Sequence, residues 1–100
     1  MHTVFLQHRT LSGARGDVQR IWDKHMRPAV EANPGHLAYV YAFGADDDRI
    51  CAFQVYASSE EAQAFLNSDA YAAYEREVSP LLSGPPQVEV LQAQWIKGAS

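Results

Sequence analysis

The sequence has few of the features that mark cysteine-rich, nucleic-acid-binding or membrane proteins. Cys51 is its only cysteine, so neither an intramolecular disulfide nor a multi-cysteine metal site can form, and we expect a reducing compartment. Lys and Arg number 8 against 12 Asp and Glu, a net charge of −4 without a basic cluster, which argues against a nucleic-acid partner. The apolar runs fall short of the ~20 residues of a membrane span, and the N-terminal run is too short for a signal peptide. These absences predict a cytoplasmic protein that binds neither nucleic acid nor membrane.

The composition is that of a globular protein. The 100 residues are 47% apolar and 20% charged, far from the profile of disordered chains. A chain of this length can bury roughly two thirds of the surface that its unfolded form exposes. We therefore predict a single domain over residues 1–100.

The first half of the sequence predicts one strand and one helix. Residues 3–9 form a β-branched and aromatic run that is typical of a strand. From Asp17 the apolar residues recur at helical spacing until Pro34 and Gly35 end the pattern, and Pro28 is expected to kink the helix. The inward stripe of this helix consists of Val18, Ile21, Trp22, Met26 and Ala29.

The second half completes a recognisable order of elements. Residues 36–43 and 49–56 flank the connector GADDD and predict an antiparallel hairpin. A helical region follows from Ser58 to Leu82, interrupted at residues 67–69 by a second capping sequence, and the last strand covers 87–96. The order β-α-β-β-α-β predicts an α+β, ferredoxin-like fold, with helices on one face of an antiparallel four-stranded sheet.

The strand at residues 36–43 is apolar on both faces, which a sheet with one solvated face would not require. Tyr39, Tyr41 and Phe43 share one face, and small or aliphatic side chains share the other. An apolar second face needs a cover, and a second copy of the chain would supply it. We predict a homodimer that forms by sheet-to-sheet packing.

Four stretches, NPGHLAYVYAF, FQVY, SSEEAQAFLNSDAYAAY and SPLLSGPPQVEV, resemble the antibiotic biosynthesis monooxygenase family. The resemblance covers essentially the whole chain and implies a dimeric α+β barrel. Members of the family include cofactor-independent oxygenases of quinols and anthrones, haem-degrading enzymes and an isomerase of a signalling metabolite.

The resemblance has departures that narrow its implications. Where many members carry Glu-x-Trp at the end of the third strand, this chain has Gln54 and Tyr56, and Tyr74 stands where haem-degrading members place their iron-binding histidine. Haem degradation is therefore disfavoured. The resemblance implies a monooxygenase without metal or flavin that acts on a small aromatic, quinol- or anthrone-like substrate. The alternatives are an isomerase and a non-catalytic dimer that binds a small molecule.

Such chemistry requires an apolar cavity for a flat ring and a base. We expect the cavity between the sheet and the helices, although the same rings could simply fill a core. The base is predicted to be His25, which lies at the border of the inward stripe, three residues after Trp22. His8 is the second choice, and it faces either the cavity or the dimer contact. The ring-binding side chains are predicted to be Trp22, Phe65, Tyr71 and Tyr74.

The same chemistry requires donors that stabilise an oxyanion. Gln54, Tyr56 and Asn67 are the candidates, because they lie near the end of the third strand and the helix break. Alternatively, Gln54 and Tyr56 could bond the neighbouring subunit while Asn67 ends a helix. His2 is expected at a frayed terminus and His36 at the surface where a strand begins.

Overall fold

Strands and helices follow one another in the predicted order in the computed structural model, which describes residues 1–98. The elements are β1 (His2–Arg9), α1 (Arg15–Ala32), β2 (His36–Phe43), β3 (Arg49–Tyr56), α2 (Ser59–Leu66), α3 (Asp69–Val78), a 3₁₀ turn (Ser79–Leu81) and β4 (Gln87–Gln92).

The strands form one antiparallel sheet in the order β2-β3-β1-β4. His2 pairs with Tyr56 of β3 and with Gln92 of β4, and Phe5 pairs with Phe53. The helices cover one face of this open sheet, so the predicted ferredoxin-like fold is confirmed. The connection between β1 and β2 through α1 leaves room for β3 between them, as this fold requires.

Two serine caps divide the second helical region into α2 and α3. The Ser58 hydroxyl accepts a hydrogen bond from the Glu61 backbone N–H, and the Ser68 hydroxyl accepts one from the Tyr71 N–H, each at 3.2 Å. Both hydroxyls satisfy amide groups that a helix start leaves open. The predicted break at residues 67–69 is confirmed.

Two predicted boundaries were wrong. The second helical region does not continue to Leu82 as an α-helix, because Pro80 lies in the 3₁₀ turn that follows Val78 and lacks the N–H that an α-helix interior needs. The last strand ends at Gln92 rather than residue 96. Gln92 is already opposite His2, the first residue of β1, so β4 has no further strand residue with which to pair.

The core lies between the helix-covered face of the sheet and the three helices. Each helix contributes buried side chains, which pack against buried side chains of β3. The buried members of this core are Val18, Met26, Ile50, Tyr56, Ala62, Phe65, Tyr74 and Val78.

The opposite face of the sheet is open and largely apolar. The Phe5 and Phe53 rings meet there at 6.2 Å between centroids, and Val40 is 56% exposed. Among the helices of residues 1–98, none has the combination of length and apolar character that a membrane crossing demands.

Candidate functional site

A cavity of about 330 Å³, here called the main cavity, lies between the sheet and helices α2 and α3. Its volume falls at the small end of the range for ligand pockets. It opens along β4, where Val88 and Val90 face the cavity and remain 56% and 61% exposed. Most of its walls are apolar. The lining side chains are His2, Val4, Leu6, Met26, Gln54, Tyr56, Ser59, Ala62, Gln63, Phe65, Leu66, Tyr71, Pro86, Val88 and Val90.

A second space of about 20 Å³, the inner cavity, adjoins the main cavity deeper under the sheet. The two share Leu6, Met26, Gln54 and Tyr71 as lining residues. A volume of this size holds about one water molecule or one oxygen atom of a larger ligand. The remaining walls of the inner cavity are His8, Tyr39, Tyr41, Ile50, Ala52 and Tyr74.

Two side chains that line the inner cavity carry polar atoms without partners in the part of the chain that the structure describes. Within residues 1–98, the Nδ1 atom of His8 and the hydroxyl of Tyr41 are buried and make no hydrogen bond. A buried polar group left in this state costs about 1–3 kcal/mol. A hydroxyl oxygen that enters the inner cavity could supply the missing hydrogen bond of either atom.

Burial keeps the groups around the inner cavity uncharged at neutral pH. It lowers the pKa of His8 below 6.5, so the imidazole is neutral and able to accept a proton. It raises the pKa of Tyr39 to about 12, and it also raises the pKa values of Tyr41 and Tyr74. The site therefore offers neutral donors and one neutral base.

A hydrogen-bonded chain enters the main cavity from the loop between α1 and β2. Asn33 Nδ2 and His36 Nδ1 lie 2.9 Å apart, and His36 Nε2 lies 3.2 Å from Gln54 Oε1. The Tyr56 hydroxyl donates to the same Gln54 oxygen at 2.6 Å. These four side chains link the surface near Asn33 to the cavity wall.

The structure brings together most of the predicted ring-binding residues. Phe65 and Tyr71 line the main cavity, with ring centroids 6.3 Å apart at an interplanar angle of 62°. Tyr74 and His8 line the inner cavity, so of the two directions open to His8 the structure shows the cavity. Trp22 lies elsewhere: its ring stacks on Tyr41 at 4.2 Å, and it lines neither the main nor the inner cavity.

Gln54 and Tyr56, the predicted donors on β3, are both buried and line the main cavity. Their mutual hydrogen bond means that, within this chain, the two act as one unit rather than as separate donors. Gln54 also reaches the inner cavity. It is thus the polar side chain common to both spaces.

His25 and Asn67 lie outside both cavities. His25 is on α1, where its Nε2 atom contacts the carboxylate of Glu77 on α3 and lowers the pKa of that carboxyl. Asn67 is exposed at the C-cap of α2, and its backbone N–H is directed to the carbonyls of Gln63 and Ala64. Their catalytic assignments stay predictions from the sequence that this geometry does not strengthen.

The expectation for His2 was wrong, and that for His36 was right only in placing it where a strand begins. His2 is not a frayed end but the first residue of β1, and its ring lies 6.3 Å from that of Tyr56 at the main cavity. His36 is not a plain surface residue, because its ring packs on Tyr56 at 4.3 Å and against Phe65 at 4.6 Å. Alternation along β2 could have placed Tyr39 and Tyr41 beside the cavity, but the link from His36 to Gln54 spans two strands and has no local signature.

Among residues 1–98, no cluster of three or more His, Cys, Asp or Glu side chains is arranged to hold a metal ion. The cavity walls themselves are aromatic, aliphatic, amide and imidazole groups.

The comparison with protein families matches residues 1–77 to the family described as antibiotic biosynthesis monooxygenase. The comparison with curated proteins gives no significant match.

Many solved structures share the fold. A protein of Nitrosomonas europaea, named as a candidate antibiotic biosynthesis monooxygenase, superposes with a TM-score of 0.87 at 14% identity, over 95% of this chain and 100% of that one. A protein of Mycobacterium tuberculosis gives 0.84 at 24% identity, over 97% and 98% of the two chains. A candidate antibiotic biosynthesis monooxygenase of Caulobacter crescentus gives 0.86 at 17% identity, over 92% and 88%. At such identities the likeness shows the fold.

Proposed function

The chain belongs to the antibiotic biosynthesis monooxygenase family, and from this premise we propose that it is a cofactor-independent monooxygenase. Its substrate is a small aromatic, quinol- or anthrone-like molecule that reacts with dioxygen. The observation that carries the proposal is the pair of adjoining cavities: an apolar space of about 330 Å³, and beside it a space of about 20 Å³ whose walls include the uncharged polar side chains of His8, Tyr41 and Gln54. A flat ring fits the first and its oxygen substituent fits the second.

The main cavity offers a ring apolar contact on several sides. Phe65 and Tyr71 supply aromatic walls, Met26 supplies an adaptable thioether, and Val4 belongs to the sheet side of the cavity. Aromatic walls bind planar rings by offset or edge-to-face contact, with centroids typically 4.5–7 Å apart. Burial against such walls also excludes water from the reacting ring.

His8 is the base in this proposal. Its unpaired Nδ1 atom and its place on the inner cavity support the role, since a neutral imidazole can take the proton of a phenolic or enolic hydroxyl that enters there. The adjacent Tyr41 hydroxyl can donate to the resulting oxyanion. His25 is the weaker candidate because Glu77 already engages it.

The electron-rich anion then reduces dioxygen itself, so the protein need not supply a redox group. For an anthrone, one oxygen atom bonds to the methylene carbon and becomes a carbonyl oxygen. The other oxygen atom leaves as water with the two hydrogens of that carbon. The protein contributes the base, the oxyanion donor and a cavity with few water molecules.

We also propose that the working unit is a homodimer formed through the open face of the sheet. Phe5, Phe53, Val40 and Leu91 carry the apolar side chains of this face. A second copy of the same face would cover them by isologous packing. The partner would then lie behind the sheet, opposite the cavities.

The test is oxygen uptake by metal-free protein with a panel of reduced naphthoquinols and anthrones, corrected for spontaneous oxidation. We expect saturable uptake that depends on the protein, and a loss of roughly 100-fold or more in kcat for His8→Gln, as for removal of a general base. An equal loss for His25→Ala with unchanged turnover in His8→Gln would return the role of base to His25. Ring binding without any uptake would contradict the oxygenase and favour the isomerase or ligand-binding alternative.

A further inference from the structure

We infer that the carboxamide nitrogen of Gln54 is a fixed hydrogen-bond donor for a carbonyl or oxyanion oxygen of the ligand, and that Asn33 and His36 are positioning residues that hold it. The inference rests on the proposed function in one respect, namely that the cavities take an oxygen-bearing ring. It concerns recognition of that ligand and stands apart from the oxidation itself.

The orientation of the Asn33 side-chain amide is fixed by a backbone N–H group. The Gly35 N–H donates to Asn33 Oδ1 at 3.1 Å, which identifies the oxygen of this side chain. The Asn33 nitrogen therefore faces His36 Nδ1, 2.9 Å away. Because an amide NH₂ group can only donate, Nδ1 of His36 accepts and carries no proton.

The tautomer of His36 fixes the next link. A neutral imidazole without a proton on Nδ1 carries it on Nε2. This Nε2–H donates to Gln54 Oε1 at 3.2 Å, and the Tyr56 hydroxyl donates to the same oxygen at 2.6 Å. Two donors on one atom identify it as the amide oxygen. Burial lowers the pKa of His36, which favours the neutral form that this arrangement needs.

The Gln54 nitrogen then has two N–H groups to donate. Within residues 1–98 the chain makes its hydrogen bonds to Gln54 at Oε1, and Gln54 lines both cavities while only 7% exposed. The nitrogen is not among the fully enclosed, unpartnered atoms of residues 1–98, so it stays accessible from the cavity to a ligand oxygen. Gln54 therefore lies where the main cavity meets the inner cavity.

Packing holds the hydrogen-bonded side chains of His36 and Gln54 in place. The His36 ring lies against Tyr56 at 4.3 Å and meets the edge of Phe65 at 4.6 Å, so rotation of the imidazole would disturb the wall of the main cavity. Gln54 lies on β3, an inner strand of the sheet, opposite Val4 on β1 and Tyr39 on β2. The donor is therefore carried by rigid elements rather than by a loop, as accurate binding requires.

The first experiment measures binding of α-tetralone and tetralin by calorimetry, since the two differ in one carbonyl oxygen. We expect the wild-type protein to bind α-tetralone roughly 10-fold more tightly, as for one well-formed hydrogen bond. Gln54→Glu keeps the size of the side chain but replaces the donor with an acceptor, so it should abolish the preference for α-tetralone over tetralin. Gln19→Glu, with the same charge change on the exposed surface of α1, is the matched control and should keep the preference.

The second experiment separates positioning from a merely structural role. NMR of the nitrogen-labelled protein should show His36 protonated at Nε2 and unprotonated at Nδ1. In the Asn33→Ala variant, both tautomers of His36 should be populated. His36→Leu should reduce the preference for α-tetralone, whereas His36→Gln, whose amide can still donate to Gln54, should restore most of it.

The outcomes distinguish the two proposals. Equal affinity for α-tetralone and tetralin in the wild-type protein, or a proton on Nδ1 of His36, would overturn the inference and leave the oxygenase proposal standing. If neither α-tetralone nor tetralin binds and quinols cause no oxygen uptake, both the inference and the oxygenase proposal are overturned. Oxygen uptake together with a preference that Gln54→Glu leaves intact would remove Gln54 alone.

Discussion

His8 combines a half-buried imidazole with a buried Nδ1 atom that has no partner among residues 1–98. A buried polar atom of this kind lowers the stability of the folded protein unless a ligand or water molecule forms a hydrogen bond with it. Unsatisfied polar groups and perturbed pKa values are found together at functional sites. There, a bound ligand can supply the missing hydrogen bond. Tyr41 has the same property at the same cavity, and this coincidence of two unsatisfied groups is what distinguishes the inner cavity from ordinary core.

Burial of His8 and His36 predicts a loss of stability in mildly acidic solution. Both pKa values lie below 6.5 in the folded protein, so below pH 6.5 the unfolded chain binds more protons and the free energy of unfolding falls. The loss should start near pH 6.5 as the pH is lowered, well above the range in which Glu60 and Glu77 titrate. Thermal melts of wild type and His8→Gln test this, since the variant should show a shallower dependence. Stability that rises as the pH falls below 6.5 would contradict the assignment.

A matched pair of tyrosine variants tests the unpaired hydroxyl. Tyr41→Phe removes a group without a partner and should leave stability unchanged or raise it by about 1 kcal/mol. Tyr56→Phe removes the donor to Gln54 and should cost about 1 kcal/mol. Denaturant unfolding measures both. A larger loss for Tyr41→Phe than for Tyr56→Phe would show that the Tyr41 hydroxyl is satisfied in solution without a ligand.

The sequence predicted the types of residue in the site better than their places. Alternation along a strand groups His8 with Val4 and Leu6, but both faces of this sheet are apolar, so the pattern alone could not say which face the helices cover. His25 lies at the edge of the inward stripe of α1, where a small rotation of the helix directs it to Glu77 rather than to a cavity. His36 and Gln54 meet only because β2 and β3 pair, which is a tertiary fact.

At the scale of elements, capping residues divide the chain as strongly as hydrophobic periodicity does. Ser58 and Ser68 each begin a helix whose inner side chains, such as Phe65 and Tyr74, reach the cavities. The break between α2 and α3 allows the two helices to present these rings at different angles. Caps are local in sequence, which is why this break was predictable while the end of β4, set by the length of β1, was not.

Removal of either cap should destabilise the protein by about 1 kcal/mol. Ser58→Ala and Ser68→Ala each leave one N-terminal amide without its side-chain acceptor. Ser12→Ala, in the exposed loop before α1, is the control and should change little. Chemical denaturation provides the comparison, and a Ser68→Ala variant as stable as Ser12→Ala would mean that the cap contributes nothing to the break.

At the scale of the whole molecule, the two faces of the sheet have different surroundings. The cavities lie on the helix side of the sheet, and Phe53 and Val40 lie on the other side. In the proposed dimer, the cavity face would bind the substrate and the open face would contact the second copy of the chain. The fold was predictable because its order of elements is specified locally, whereas a partner is not visible in one chain.

Light scattering at micromolar concentration tests the proposed dimer. We expect a mass of about twice 11.1 kDa for the wild-type protein and about half of that for Val40→Arg, because a charge buried between two sheets is costly. Val40 is 56% exposed in the single chain, so the variant should still fold. Leu11→Arg, at a site 47% exposed in the loop before α1, should remain dimeric. A wild-type protein at the mass of one chain would exclude the dimer.

The most direct test of the central claim follows the oxygen atom. Metal-free protein is supplied with an anthrone and isotopically labelled dioxygen, and the product is analysed by mass spectrometry beside Val90→Trp, a variant at an exposed site of the cavity opening that should block it. We predict that the wild-type protein forms product with one labelled oxygen atom faster than buffer alone, and that Val90→Trp loses most of this rate. Labelling no faster than in buffer, or equally fast with the cavity blocked, would contradict oxygenation in this cavity.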